Sequence, residues 1–217
     1  MVLKFFQSKE TALDHIGHQV VGMIGSCRHS FDLAMSAFVT DADITPIGAE
    51  VRSTDREING VEETVRRELV VHMAVTGSSD VGTVLGFLLM VKKLERVGDQ
   101  AKNVFDLAAE GVRFSGAPDY ERFVDFRNRV STTFADAVAI LGNPDEVDPA
   151  PMVSRSQELM DTFDELVNEL IHSNEPGSFA VPRAMLFRYL KRIVANLVGV
   201  VTTMTEGVDR TGDDVDE

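Results

Sequence analysis

The sequence has little of three things that would point to a particular environment: cysteine, basic charge and long apolar runs. Cys27 is the single cysteine among 217 residues, which excludes an intramolecular disulfide and cannot by itself supply a thiolate metal site. Charged residues interrupt every apolar stretch before it reaches the roughly 18 to 20 residues of a membrane span. We therefore expect a protein of the reducing cytoplasm, without direct insertion into a membrane.

The shortage of basic residues also limits the partners. Thirty-five acidic residues stand against 21 basic ones, giving a formal net charge of −14, which repels nucleic acid and anionic lipid. Cations and basic protein surfaces are the partners that such a field attracts. No stretch matches a nucleotide-binding glycine motif or a serine-hydrolase motif in its required context, so nucleotide binding and serine-hydrolase chemistry lack support.

What the sequence has in quantity is helical periodicity, with 44% hydrophobic residues and no convincing alternation typical of strands. Glycine, proline and aspartate clusters divide the chain into about six helices. The predicted helices cover roughly 3–39, 45–75, 80–113, the stretch from SGAPD to about 141, 151–172 and 179–208. Long helices joined by short loops pack antiparallel, which predicts a bundle.

Helix ends are also indicated by individual residues. Asp80, Asp119 and Ser178 precede predicted helices and are plausible N-caps, because their side chains can accept a hydrogen bond from the first turn. Gly142 follows the last apolar position of the fourth helix and is a plausible C-cap.

A faint internal repeat relates the two halves of the chain. LERVGDQAKNV at 94–104 is similar to LKRIVANLVGV at 190–200, and the stretch at 58–65 is similar to FDELVNEL at 163–170. The apolar frame repeats while the polar residues change. We therefore predict an all-α fold of two tandem three-helix bundles, 1–114 and 115–217.

Two carboxylates on the third helix are the most informative polar residues. Glu95 and Asp99 are four apart and therefore neighbours on one helix face, where their charges repel by a few tenths of a kcal/mol. Gly98 between them costs roughly 1 kcal/mol relative to alanine. The pair continues a row at the edge of the apolar stripe formed by Val84, Leu88 and Val91. On the second helix Asp55, Asn59 and Glu62 border the apolar stripe in the same way.

Spacing alone leaves two interpretations of these residues open. In the first they form a solvated surface of ion pairs, since Lys92, Arg96 and Lys102 each lie three residues from Glu95 or Asp99. In the second, oxygen ligands from helices two and three converge on a metal ion such as Fe, Zn, Mn, Mg or Ca.

The stretch LERVGDQAKNVFDLA at 94–108 closely resembles the signature of the PhoU family, and DREINGVEE at 55–63 resembles the second motif of that family. The resemblance implies two three-helix repeats and a non-enzymatic regulator of phosphate uptake and phosphate-responsive signalling. It implies contacts with the transporter's ATPase and with the membrane sensor kinase. A homodimer and a peripheral position at the inner membrane, reached through these partners, are further expectations.

The same resemblance implies a metal site in the first repeat, with Fe or Zn as the expected ions. Its ligands would be Asp55 and Asn59 from helix two and Glu95 and Asp99 from helix three, with Glu62 as an additional oxygen donor. Asn59 stands where the family often has a carboxylate and offers only an uncharged carbonyl oxygen. Phosphate could coordinate to open positions of such a metal.

The second repeat departs from this ligand pattern. Met160 replaces Asp55, Lys191 replaces Glu95 and Ala195 replaces Asp99, which leaves Asp164 as the remaining oxygen ligand. A lysine ammonium repels a metal cation, so we predict that the second repeat has lost its site.

Two other functions remain as alternatives. One is a metal-free helical accessory or interaction protein of another transporter. The other is a carboxylate-bridged di-metal enzyme, which would need ligands buried inside the bundle and typically paired Glu-x-x-His motifs.

The remaining candidate residues have ordinary structural explanations. His15 and His18 are three apart, a spacing compatible with metal ligation, but we expect polar surface positions; Cys27 should be buried or half-buried. Several large apolar residues are expected in the core, with a docking face as the alternative. These residues are Phe5, Phe6, Met23, Phe38, Met185, Phe187 and Tyr189.

Overall fold

The computed structural model describes residues 11–206, which form six α-helices and contain no strand. These residues confirm the all-α fold that the periodicity predicts. The helices are α1 Ala12–Val39, α2 Ile44–Thr76, α3 Val81–Ala109, α4 Tyr120–Gly142, α5 Ala150–Ile171 and α6 Gly177–Glu206.

The first helix begins later than the predicted residue 3. Thr11 is extended and caps the helix: its hydroxyl accepts from the backbone N–H of Asp14, whose carboxylate accepts from the backbone N–H of Thr11. This reciprocal capping satisfies two amide groups that would otherwise lack a partner and fixes the helix start at Ala12. Residues 1–10, with Phe5 and Phe6, lie outside the described part of the chain.

Three other helix ends differ from the predictions. The third helix ends at Ala109, not near 113, because Gly111 turns the chain away with a φ of 90°. Ser178 is not an N-cap, since α6 already begins at Gly177. Gly142 is the last residue of α4, and Asn143 takes the C-cap position. Such shifts of one to four residues leave the predicted order of helices unchanged.

Helices α1, α2 and α3 pack on one another, and α4 and α5 pack on α6. The two sets of three helices are joined where α3 lies along α6 and α1 along α4, so that one hydrophobic core runs through the described residues. This arrangement is the predicted pair of three-helix bundles. The division of the chain at 114–115 stays a prediction.

A buried aromatic stack lies where the two sets of helices meet. Phe114, in the α3–α4 connection, stacks on Phe123 of α4 with ring centroids 3.8 Å apart and on Phe38 of α1 at 5.3 Å. The guanidinium of Arg183 in α6 lies over the rings of Phe114 and Phe123 and donates two hydrogen bonds to Asp119. Residues from α1, α4, α6 and the connection therefore form one joint.

Most of the large apolar residues singled out above are in this core. Met23, Phe38 and Phe187 are buried and Tyr189 is partly buried, whereas Met185 is exposed. Within residues 11–206 no helix combines the length and the apolar character needed to cross a membrane.

Candidate functional site

The site on α2 and α3 begins with the glycine that interrupts the carboxylate pair. A Cβ atom at Gly98 would lie 3.0 Å from Cδ1 and 3.3 Å from Cγ2 of Ile58, which is fully buried on α2. These distances are shorter than ordinary van der Waals contact. Packing therefore explains the glycine at position 98: because Gly98 has no side chain, α2 can approach α3 closely beside the carboxylates.

This close approach brings the carboxylates of the two helices to one cation of the protein itself. The Nζ atom of Lys102 lies 3.3 and 3.4 Å from the two carboxylate oxygens of Asp55 and 3.3 Å from Oδ1 of Asp99. Lys102 and Asp99 are one turn apart on α3, whereas Asp55 belongs to α2. The predicted convergence of Asp55 and Asp99 is present, with an ammonium group between them.

The other predicted ligands have separate partners on their own helices. Glu95 contacts the ammonium of Lys92 at 2.9 Å, and Glu62 accepts a hydrogen bond from Arg66 at 3.1 Å. Their side chains are mostly shielded from solvent, with 19% and 13% exposed. Asn59 is exposed at the surface of α2.

The two aspartates stabilise the protonated, charged form of Lys102. Burial by itself would lower the pKa of Lys102, but hydrogen bonds and the charges of Asp55 and Asp99 outweigh it and raise the pKa above its ordinary value. The ammonium therefore stays charged throughout the physiological pH range.

The residues as arranged do not fit a metal ion. The Lys102 ammonium already contacts the carboxylates of Asp55 and Asp99 that a shared metal ion would use. Glu62 is paired with Arg66 and Glu95 with Lys92. Across residues 11–206 there is no group of three or more histidine, cysteine or acidic side chains placed to hold a metal. The ligand set implied by the resemblance stays a prediction.

The equivalent surface of the second repeat contains an ion-pair cluster. Lys191 contacts Asp164 directly, and Arg188 approaches the same carboxylate at 3.4 Å. Met160 is partly buried against the core and Ala195 is exposed. The predicted loss of a metal site from the second repeat stays a prediction.

Two aspartates at helix starts have partners that local sequence does not reveal. Asp80 and Asp119 occupy the predicted N-cap positions but make no capping hydrogen bond with their side chains. Asp80 lies 2.9 Å from Nε2 of His72, and Asp119 binds Arg183, 64 positions away in the sequence. The sequence signal for these pairs is charge complementarity only, which is common to many residue pairs.

The other candidate residues occupy ordinary positions. His15 and His18 are exposed, and His15 is 3.1 Å from the amide of Gln19. Cys27 is fully buried and its thiol donates to the carbonyl of Leu94, while burial strongly raises the pKa of the thiol.

Comparison with known proteins finds a domain match that includes the residues of this site. Residues 20–108, which include all five predicted ligands, match the PhoU domain. The fold is similar to that of PhoU from Pseudomonas aeruginosa, with a TM-score of 0.69 and 22% identity over 90% of this chain and 97% of that chain. It is also similar to the phosphate transport system regulatory protein PhoU from Streptococcus pneumoniae, with a TM-score of 0.76 and 15% identity over 94% and 98% of the two chains. The curated proteins contain no match.

The domain match and the shared fold come from independent comparisons, one of sequence and one of structure. Together they confirm the resemblance first seen in LERVGDQAKNV. Residues 20–108 of the chain match the PhoU domain, and the fold is similar to that of PhoU proteins over most of the chain.

Proposed function

We propose that this protein regulates phosphate uptake and phosphate-responsive signalling by direct contact with other proteins. The observation that carries the proposal is the PhoU domain match over residues 20–108. The similar protein from Streptococcus pneumoniae is described as a phosphate transport system regulatory protein, and its fold extends over 94% of this chain. The partners proposed are the ATPase subunit of a phosphate transporter and a membrane sensor kinase, reached from the cytoplasm.

The surface of the first bundle supports action by contact. Val70, Val71 and Val75 near the end of α2 are 69%, 62% and 81% exposed, and Leu85 and Leu89 of α3 are also exposed. Val71 and Val75 line a cleft of about 400 Å³ between α1 and α2. Covering exposed apolar side chains with a partner removes them from water, which favours binding.

Deletion of the gene in the source organism tests the regulatory role. Phosphate uptake and a reporter of the phosphate-starvation response should both rise in phosphate-rich medium, because the proposed restraint is removed. Restoring the wild-type gene should return both to their original level. Unchanged uptake and unchanged reporter output in the deletion strain would overturn the proposal.

A variant of the exposed α2 valines tests whether this surface binds the ATPase subunit, without changing the stability of the fold. Val71→Asp combined with Val75→Asp should weaken binding of the purified ATPase subunit, since a charge on an apolar contact must be desolvated. Val181→Asp, also at an exposed valine but on α6, is the matched control. Both variants should unfold at the wild-type temperature; equal binding by both would show that the α2 surface is not the contact.

The enzyme alternative is disfavoured by where the carboxylates lie. Asp99 is 42% exposed at the bundle surface, whereas a di-metal centre needs ligands buried between the helices. The one Glu-x-x-His spacing in the chain, Glu169 and His172, is exposed at the end of α5. The alternative of an accessory to another transporter predicts binding to a different ATPase and an unchanged phosphate response.

A homodimer is a further part of the proposal. Light scattering of the purified chain at several concentrations measures its mass directly. A monomer at all concentrations would remove the dimer from the proposal and leave the regulatory role in place.

A further inference from the structure

Lys102 lies among the carboxylates of α2 and α3 and contacts two of them. Its ammonium nitrogen is within 3.4 Å of both oxygens of Asp55 and within 3.3 Å of Asp99, and so contacts carboxylates from two helices. Asp55 is well shielded, with 14% of its side chain exposed, and Lys102 is itself only 32% exposed. The contact therefore lies in the groove between α2 and α3 and not on a fully solvated surface.

The charges around this contact are nearly balanced without any added ion. Four carboxylates of these two helices, Asp55, Glu62, Glu95 and Asp99, each have a cationic partner within the protein. They contact three cationic groups, Arg66, Lys92 and Lys102. A divalent ion placed between Asp55 and Asp99 would meet the Lys102 ammonium at close range and would be repelled by it.

We propose that Lys102 is the resident cation of the α2–α3 groove and that its ammonium keeps divalent metal ions from binding there. The ammonium donates to carboxylates that a metal would otherwise use, and it does so without requiring any ion from solution. A metal would have to displace the whole side chain and leave the ammonium in solvent, losing its three contacts with Asp55 and Asp99. This inference does not depend on the proposed regulatory role.

The packing around the groove holds this arrangement in place. Because Gly98 lies against Ile58, α2 is close enough for a lysine side chain on α3 to reach Asp55. Nearby, Arg52 of α2 lies over the ring of Phe105 and approaches Asp106 of α3 at 3.8 Å. The arginine side chain thus forms a second charged contact between α2 and α3.

Replacing Lys102 by methionine tests the proposal, with isothermal titration of Zn²⁺ and Mn²⁺ as the measurement. Lys102→Met leaves Asp55 and Asp99 together without their cation, so it should bind either ion at least about tenfold more tightly than the wild type. Lys191→Met is the matched control, because it removes a lysine from a single carboxylate, Asp164, in the second repeat. The control should bind metal no better than the wild type.

Two results would overturn the proposal. One is wild-type protein that binds metal tightly, with loss of that binding when Asp55 and Asp99 are both changed to Asn. The other is Lys102→Met protein, folded by circular dichroism, that gains no affinity. Should the variant not fold, melting of the wild type decides: about 1 mM Mn²⁺ should leave the melting temperature unchanged, and a rise that the Asp55→Asn, Asp99→Asn variant lacks would refute the inference.

Discussion

Replacing Gly98 by alanine should destabilise the protein, although the same change stabilises most helices. In an open helix the substitution gains roughly 1 kcal/mol. Here the new methyl group would lie 3.0 Å from Cδ1 and 3.3 Å from Cγ2 of Ile58, which is fully buried and cannot move into solvent. Overpacking of a well-filled core costs about 1 to 3 kcal/mol, so the net loss should be about 1 kcal/mol.

The double variant with Ile58→Val makes this reasoning testable. Valine lacks the Cδ1 atom that comes closest to the new methyl group, so it should relieve part of the strain, while alone it should cost about 1 kcal/mol. Urea unfolding of the wild type, both single variants and the double variant gives the coupling free energy between the two sites. Additive changes, or a stabilising Gly98→Ala, would refute the claim that Gly98 is needed for close helix packing. Gly60, where an added Cβ atom would meet no other atom within 4 Å, is the control position for alanine.

Three further predictions concern Arg183, where the two sets of helices meet, and Cys27 in the core. Arg183→Met should lower the free energy of unfolding by about 2 kcal/mol, since it removes two charged hydrogen bonds to Asp119 and the contact with Phe114; a loss below the error of urea unfolding would contradict this. Hydrogen bonding to Arg183 lowers the pKa of Asp119, so this pair stabilises the fold above about pH 4 and the stability is lost as the pH falls through the lowered value. Arg183→Met should therefore lose less stability on acidification than the wild type. Cys27, buried and with a raised thiol pKa, should react with a thiol reagent at pH 8 only after unfolding; rapid labelling of native protein would show that the α1–α3 interface opens.

The helices and their apolar faces could be predicted because they depend on local periodicity. Val84 and Val91 are buried and Glu95 lies at the edge of the buried face, as the helical spacing predicts. Periodicity alone does not predict the start of α1 at Ala12, because that start depends on the reciprocal capping of Thr11 and Asp14.

The contacts of the candidate site could be predicted only in part. Spacing identifies the pairing of Lys102 with Asp99, three residues apart, but not with Asp55, 47 residues away on another helix. The sequence shows that Gly98 interrupts a helix at a cost in stability. The reason for a glycine at this position, the side chain of Ile58, becomes apparent only when the helices are packed. Contacts between distant residues depend on how closely two helices approach, which propensities do not determine.

The most direct test of the account is the binding of the purified chain to the ATPase subunit of the phosphate transporter from the same organism, measured with and without a chelator. We expect binding in both conditions with the same affinity, because the proposed contact is made by the protein surface and Lys102 takes the place of a metal. Absence of binding would contradict the regulatory contact. Binding that is lost with chelator and restored by Zn²⁺ or Fe²⁺ would contradict the role given to Lys102.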